Sequence, residues 1–166
     1  MFSTIIKLMI TTENDIAEKI ISKNFGFDGN SLVKLENNQE VRVCDLKKGD
    51  LVIGGFKIKC IFKTLINDKI SVVDINSLRI SPNTPIYIDG EWDYPKSLFL
   101  SRIAHVDYLY NIILESGHVL ILNNIHVMTP GFDCSETSID FKDYKAFGKV
   151  LNNNINYENE IVDLIL

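Results

Sequence analysis

Cysteine is scarce: the 166 residues hold three, Cys44, Cys60 and Cys134. The number is odd, the spacing wide, and no Cys-x-x-Cys pair occurs. This argues against a disulfide framework or a zinc site and for a reducing, intracellular compartment. Cys44 and Cys60 are expected to be buried strand residues and Cys134 a loop thiol. Long apolar runs are lacking too. Met1–Ile10 is apolar but broken by Lys7, with no basic stretch before it and no small-residue cleavage site after it. Such a segment is too short to span a bilayer and does not read as a secretion signal. It reads as an extended or helical arm packed on the domain or on a partner. Basic charge is in deficit, with 17 Lys and Arg against 22 Asp and Glu and a net charge of −5. Phosphate backbones are bound by clustered cations, and Lys47-Lys48 and the Lys57/Lys59 pair are too sparse to form such a surface. No nucleic-acid partner is expected. His105, His118 and His126 show no metal-ligand spacing with the cysteines, so neither a metal nor another cofactor is expected. Arginine is scarce while Ile, Asn and Lys abound, a bias of AT-rich genomes that has no bearing on mechanism.

What is present is an ordinary globular composition, 46% hydrophobic and 23% charged, long enough for one domain with a core. Around Phe25-Gly26-Phe27 a turn cluster, Asp28-Gly29-Asn30, leads into the strand-like Ser31-Leu32-Val33. From Ser31 to about Leu122 short alternating runs and frequent turns predict an all-β core. The runs are Leu32–Leu35, Val41–Val43, Leu51–Ile53, Lys57–Leu65, Ile70–Ile75 and Leu78–Ile80, then Tyr108–Glu115 and His118–Leu122 joined by Ser116-Gly117. Before this core, Ile16, Ile20 and Ile21 have helical spacing and predict a short helix ending near Asn24. After it, Phe141, Tyr144, Phe147 and Leu151 have helix-like spacing, weakened by Gly148. Glu158–Leu166 reads as a final strand or short helix. The implied organisation is an arm and helix at 1–24, a β domain at 25–135 and a packed C-terminal extension at 136–166.

Three stretches carry a family resemblance. Phe27, Gly29, Ser31 and Val33, followed by Asp45, Leu46, Gly49 and Asp50, resemble the opening of a Hint domain, the fold shared by inteins and the hedgehog autoprocessing region. Ser81, Thr84, Pro85, Ile86, Gly90 and Trp92 resemble its next block, in which Thr-x-x-His-Pro-Ile precedes a strand and a Gly-x-Trp turn. Tyr110, Asn111, Leu114, Gly117, His118 and Asn123 resemble the late block. The Glu115-Ser116-Gly117-His118 form looks most like the Hint domains joined to von Willebrand factor A-type modules, as do Phe147-Gly148 and Tyr157-Glu158-Asn159 in the tail. The resemblance covers roughly Phe25 to Leu122. It implies a mainly β, horseshoe-shaped Hint-like fold with short helical segments at both ends.

The resemblance also implies where chemistry would sit, and there the chain departs from the pattern. Gly26 stands where the family has its nucleophilic Cys, and an acyl shift needs an activated Cys, Ser or Thr side chain. Thr84 stands where the family has a His that protonates the leaving amide, and losing a general acid typically costs about 10²–10⁴ in rate. Ser81 takes the Thr place of that block, and both hydroxyls read as turn residues around Pro82 and Pro85. Met128-Thr129 replace the terminal His-Asn of an intein, and Phe132 replaces a further His. His118, beside Gly117 at an expected hairpin edge, reads as structural. Asp74 has no spacing that proposes a carboxylate dyad with Asp28 or Glu115. Gly26, Ser81, Thr84, Asn111, His118 and Thr129 are therefore vestigial site positions in an expected non-enzyme, and few residues precede Gly26 to be processed. The expected role is an inactive structural or interaction module with protein partners. One alternative is an autoprocessing domain with a substituted nucleophile. The other is a minor structural protein of a giant-virus capsid, which would place it in the virion, or of another large assembly.

Overall fold

The computed structural model describes residues 5–9, 19–131, 141–154 and 161–165. Their strands are β1 (Ile5–Met9), β2 (Phe27–Asp28), β3 (Leu32–Lys34), β4 (Glu40–Arg42) and β5 (Leu51–Val52). There follow β6 (Phe56–Ile75), β7 (Leu78–Ile80), β8 (Ile86–Ile88) and β9 (Glu91–Asp93). The last are β10 (Arg102–Leu114), β11 (Val119–Leu122), β12 (Ile125–Met128) and β13 (Ile161–Ile165). One sheet runs β1-β13-β6-β10-β2-β7, with β5 beside β6 and a further β6–β7 pairing. The second runs β4-β3-β11-β12-β8-β9. Pairing is antiparallel except where β13 lies parallel to β1 and to β6. The chain is thus mainly β, as its alternating runs predict. Of the helix expected before Asn24, residues 19–21 are helical and 10–18 lie outside the described residues. Residues 5–9 of the arm are extended and join the first sheet.

The spine of the fold is β6, a single strand of 20 residues where the sequence suggests two. Between those two runs, Asn67 and Asp68 lie at a kink. Register with β10 shifts between Val106 and Tyr108, so Ile66 and Asn67 together oppose Asp107, and Asn67 takes a φ of +43°. An extra residue bends a strand without ending it. Three other expectations change. Val43 leaves the β4 pattern to begin a 3-10 turn, Val43–Asp45. Tyr108–Glu115 and His118–Leu122 do not pair as a hairpin. β10 stays in the first sheet and β11 crosses to the second, pairing with β12 and β3. Cys44, in the 3-10 turn, is exposed. Cys60 is buried in β6 as expected, and burial pushes its thiol up to about 11. Cys134 lies outside the described residues.

Two cores matter for the site. The larger lies between the sheets and includes Phe27, Val33, Ile58, Val73, Ile80, Ile112 and Leu122. The second joins the segment before Gly26 to the C-terminal helix, Lys142–Asn154. Phe141, Tyr144, Phe147 and Leu151 recur at helical spacing and are all buried there, with Ile21 and Phe25. Phe25 stacks on Phe147 at 4.7 Å between ring centroids and meets Tyr144 edge-on at 5.6 Å. The Tyr144 hydroxyl donates to the Met128 carbonyl at 2.6 Å. Gly148 sits in this helix because a Cβ there would come within 3.1 Å of the Gly131 backbone nitrogen. The absent side chain lets the helix lie close on the 129–131 loop. Phe147→Ala should lower stability by about 3–5 kcal/mol, the usual loss for a buried phenylalanine. Urea denaturation will read this as a lower midpoint at unchanged slope.

Candidate functional site

Between the exposed Lys23 and the buried Phe25 and Gly26 the main chain enters the protein interior, where N–H and C=O groups need partners. It finds them on the 81–84 turn and on β10. Asn83 Nδ2 donates to the Lys23 carbonyl at 3.0 Å, and Ser81 Oγ donates to the Asn24 carbonyl. Asn111 Nδ2, from β10, donates to the Phe25 carbonyl at 3.0 Å. The Gly26 N–H donates to Thr84 Oγ1 at 2.6 Å, and the Ser81 N–H donates to the Gly26 carbonyl at 2.9 Å. Ser81 and Thr84 also close their own turn through Thr84 N–H to the Ser81 carbonyl at 3.2 Å. The reading of both as turn residues is therefore incomplete, since each also holds the main chain next to Gly26.

Of the sequence-selected positions, Gly26, Ser81, Thr84 and Asn111 converge on the Phe25–Gly26 peptide bond. Ser81 and Thr84 are fully buried and Asn111 is 1% exposed. Thr129 and His118 do not bond to that peptide. They are joined to each other through the Thr129 N–H and the His118 carbonyl at 2.9 Å. The His118 side chain is exposed, at a crossing between sheets rather than a hairpin edge. Asn111 Oδ1 and Thr129 Oγ1 are buried without a hydrogen-bond partner among the described residues.

Gly26 itself has a φ of +116°, a region that side-chain-bearing residues rarely adopt. A Cβ built there would overlap the Tyr110 carbonyl oxygen and lie 2.7 Å from Asn111 Nδ2. The position lacks a nucleophile and also lacks room for one. The two hydroxyls nearby do not substitute. Thr84 Oγ1 accepts from the Gly26 N–H, so it lies close to the peptide plane on the nitrogen side. Attack on a carbonyl carbon comes from above or below that plane. Asn111, by contrast, stands as an oxyanion donor would, at hydrogen-bond distance from the carbonyl oxygen that acyl chemistry would charge.

The five contacts to residues 23–26 come from amides, hydroxyls and one backbone N–H, none titratable near neutrality. The ionised groups lie elsewhere. Lys23 pairs with Asp143 of the C-terminal helix at 2.8 Å, tying the same two segments at the surface. Asp74 lines a polar cleft of about 380 Å³ with Asp28, Ser31, Ser77, Arg79 and Arg102. Burial opposes its ionisation, but hydrogen bonds from Arg102 and Arg79 outweigh this and hold its carboxyl below the ordinary range. Its partners are thus guanidiniums, not Asp28 or Glu115. Among the described residues no three His, Cys, Asp or Glu side chains gather as a metal site. No described helix is long and apolar enough to cross a membrane. The sequence missed the Tyr110 carbonyl as the group that closes Gly26 off, because a backbone atom leaves no residue-type signal. It also missed Phe25, whose aromatic match to Phe141, Tyr144 and Phe147 was the available clue.

The site thus sits in a mainly β domain of two sheets, at a hydrogen-bonded peptide that precedes β2. The comparisons give its class. A family model, Vint, described as a Hint-domain, matches residues 26–157, and the chain belongs to that family. Among solved structures it is similar to a DnaB intein from Synechocystis sp. PCC 6803, with a TM-score of 0.50 and 16% identity over 64% of this chain and 99% of that one. It is also similar to the Ssp DnaB mini-intein variant M86, with a TM-score of 0.50 and 15% identity over 63% and 93%. At such identity the likeness shows the fold. No curated protein sequence matches the chain.

Thr84→Val keeps the shape of the side chain and removes the acceptor of the buried Gly26 N–H. The variant should lose about 1–3 kcal/mol, the range for an orphaned buried donor. Gly26→Ala should lose about 2–4 kcal/mol from strain and overlap combined. Equilibrium unfolding of both checks the ranking.

Proposed function

We propose that this Hint domain is catalytically inactive and serves as a structural or protein-interaction module. The observation that carries the reading is the closure of Gly26, where the Tyr110 carbonyl and the Asn111 amide fill the space a nucleophilic side chain needs. A lost thiol alone would leave a socket. Here backbone and amide atoms occupy that space, and Gly26 has a conformation suited to glycine. The hydroxyl at Thr84 supports the same reading, because it is bound as an acceptor and has no perturbed acidity to offer the leaving nitrogen. The buried stack of Phe25 on Phe147 adds a further argument. In a processing domain the upstream segment departs, whereas in this one Ile21 and Phe25 are core residues. The retained Asn111 donor fits descent from an autoprocessing site. The Glu115–His118 segment supports a finer kinship with the Hint domains joined to von Willebrand factor A-type modules.

The purified chain should keep its intact mass through prolonged incubation with dithiothreitol or hydroxylamine. A product whose first residue is Gly26 would overturn the reading. The double variant Gly26→Cys with Thr84→His should also remain uncleaved and be less stable than the parent. Efficient thiol-dependent cleavage in that variant would show an open socket, contrary to the overlap described above.

A further inference from the structure

The polar cleft at Asp74 has a second lobe. Asp28, Asn30 and Arg79 line the cleft of about 380 Å³ and also line a neighbouring one of about 330 Å³, walled by Tyr108 and Tyr110. Each lobe falls in the range of about 300–1,000 Å³ usual for small-molecule sites. Neither is lined by an aliphatic side chain, so an apolar ligand gains little there. Net charge does not select a ligand either. The first lobe sets Asp28 and Asp74 against Arg79 and Arg102. The second sets Asp28 and Asp107 against Arg79, with His105 Nε2 bonded to Asp107 at 3.0 Å. An anion finds no surplus of positive charge, and Arg79 at the junction opposes a cation.

What the cleft offers is hydrogen bonding. Arg79 and Arg102 both turn Nε to Asp74, and a guanidinium carries several donors besides that one. Asp28 Oδ1 accepts from the Asn30 N–H at 2.7 Å, which fixes the carboxylate at the junction. Ser31 is the most telling residue. It lines the first lobe, is 2% exposed, and its Oγ is buried with no hydrogen-bond partner among the described residues. Buried polar atoms left so are uncommon in folded proteins, and a ligand hydroxyl in the cleft would supply the partner. The second lobe adds ring surface. Tyr108 and Tyr110 lie 6.5 Å apart between centroids, edge to face. A Cβ at Gly29 would come within 2.7 Å of the Tyr110 ring, so the glycine lets that ring rest against the backbone.

We propose that this two-lobed cleft binds a neutral carbohydrate, its hydroxyls on Asp28, Ser31 and Arg79 and a ring face on the tyrosines. A sugar hydroxyl donates and accepts at one atom, which suits a wall where carboxylates and guanidiniums stand side by side. The C–H face of a pyranose is apolar and packs on an aromatic ring. The inference goes beyond the module role proposed above and is independent of whether the Phe25–Gly26 bond is inert.

The test is saturation-transfer difference NMR of the whole chain with glucose, galactose, mannose, N-acetylglucosamine, cellobiose and chitobiose. Sugars at about 10 mM fill a site of about millimolar affinity. At least one should receive saturation, and a disaccharide should bind more tightly than its monosaccharide because it reaches both lobes. Ser31→Ala should weaken binding about fivefold, as for one lost hydrogen bond. It should not lower the melting temperature, because the hydroxyl it removes has no partner in the free protein. Tyr108→Leu, with its fold checked by circular dichroism, should also weaken binding about fivefold. Saturation of none of these sugars overturns the proposal, as does binding that both variants leave unchanged. Stronger saturation of glutamate or arginine than of any sugar overturns it too, because the cleft would then select charge.

Discussion

The constraint on which the structure turns is the hydrogen bonding of the main chain where it passes from the exposed Lys23 to the buried Phe25 and Gly26. Phe25 packs beneath the C-terminal helix, and the Phe25 carbonyl and the Gly26 N–H would be stranded without partners from the body of the fold. Asn83, Ser81, Thr84 and Asn111 supply them, from the 81–84 turn and from β10. Each partner belongs to a different stretch of chain from the segment it holds, so the contacts tie the upstream segment to the 81–84 turn and to β10. The arrangement is a peptide-binding site whose occupant is covalently attached.

That view joins the two most unusual features of the chain. Gly26 is glycine because the clamp draws the backbone against the Tyr110 carbonyl, at a φ that a Cβ resists. Thr84 suits the opposite end of the same peptide bond because a hydroxyl accepts a hydrogen bond at 2.6 Å from Gly26 without carrying charge into the core. A neutral acceptor there avoids the penalty of burying an ion. The C-terminal helix then seals the site. Its aromatic face covers Phe25, and Gly148 lets it approach the 129–131 loop. The Phe25 carbonyl and the Gly26 N–H of the enclosed bond are both hydrogen-bonded.

Much of the fold could be read in advance. Alternating runs located β3, β5 and β7, and the spacing of Phe141, Tyr144, Phe147 and Leu151 located the C-terminal helix, because both signals come from burial on one face. The Ser81 and Thr84 block was legible as a position, since its prolines and flanking Ile86 keep a recognisable pattern. What it does was not legible, because side-chain bonds to a segment nearly sixty residues away leave no local trace. The continuity of β6 was hidden by Asn67-Asp68, a pair with the composition of a turn that serves as a bulge. The crossing of β10 to β11 was hidden by Ser116-Gly117, which suits a hairpin and a change of sheet equally well. The exposed Cys44 was hidden because a 3-10 turn continues the alternation of β4 for one residue too many.

The central claim is that the Gly26 amide is locked within the interior, and native-state hydrogen exchange measures that lock directly. The account predicts that the Gly26 N–H exchanges only through global unfolding, with a protection free energy equal to that of the most protected amides of β6 and β10. Exchange of this amide at the rate of an open loop would contradict it.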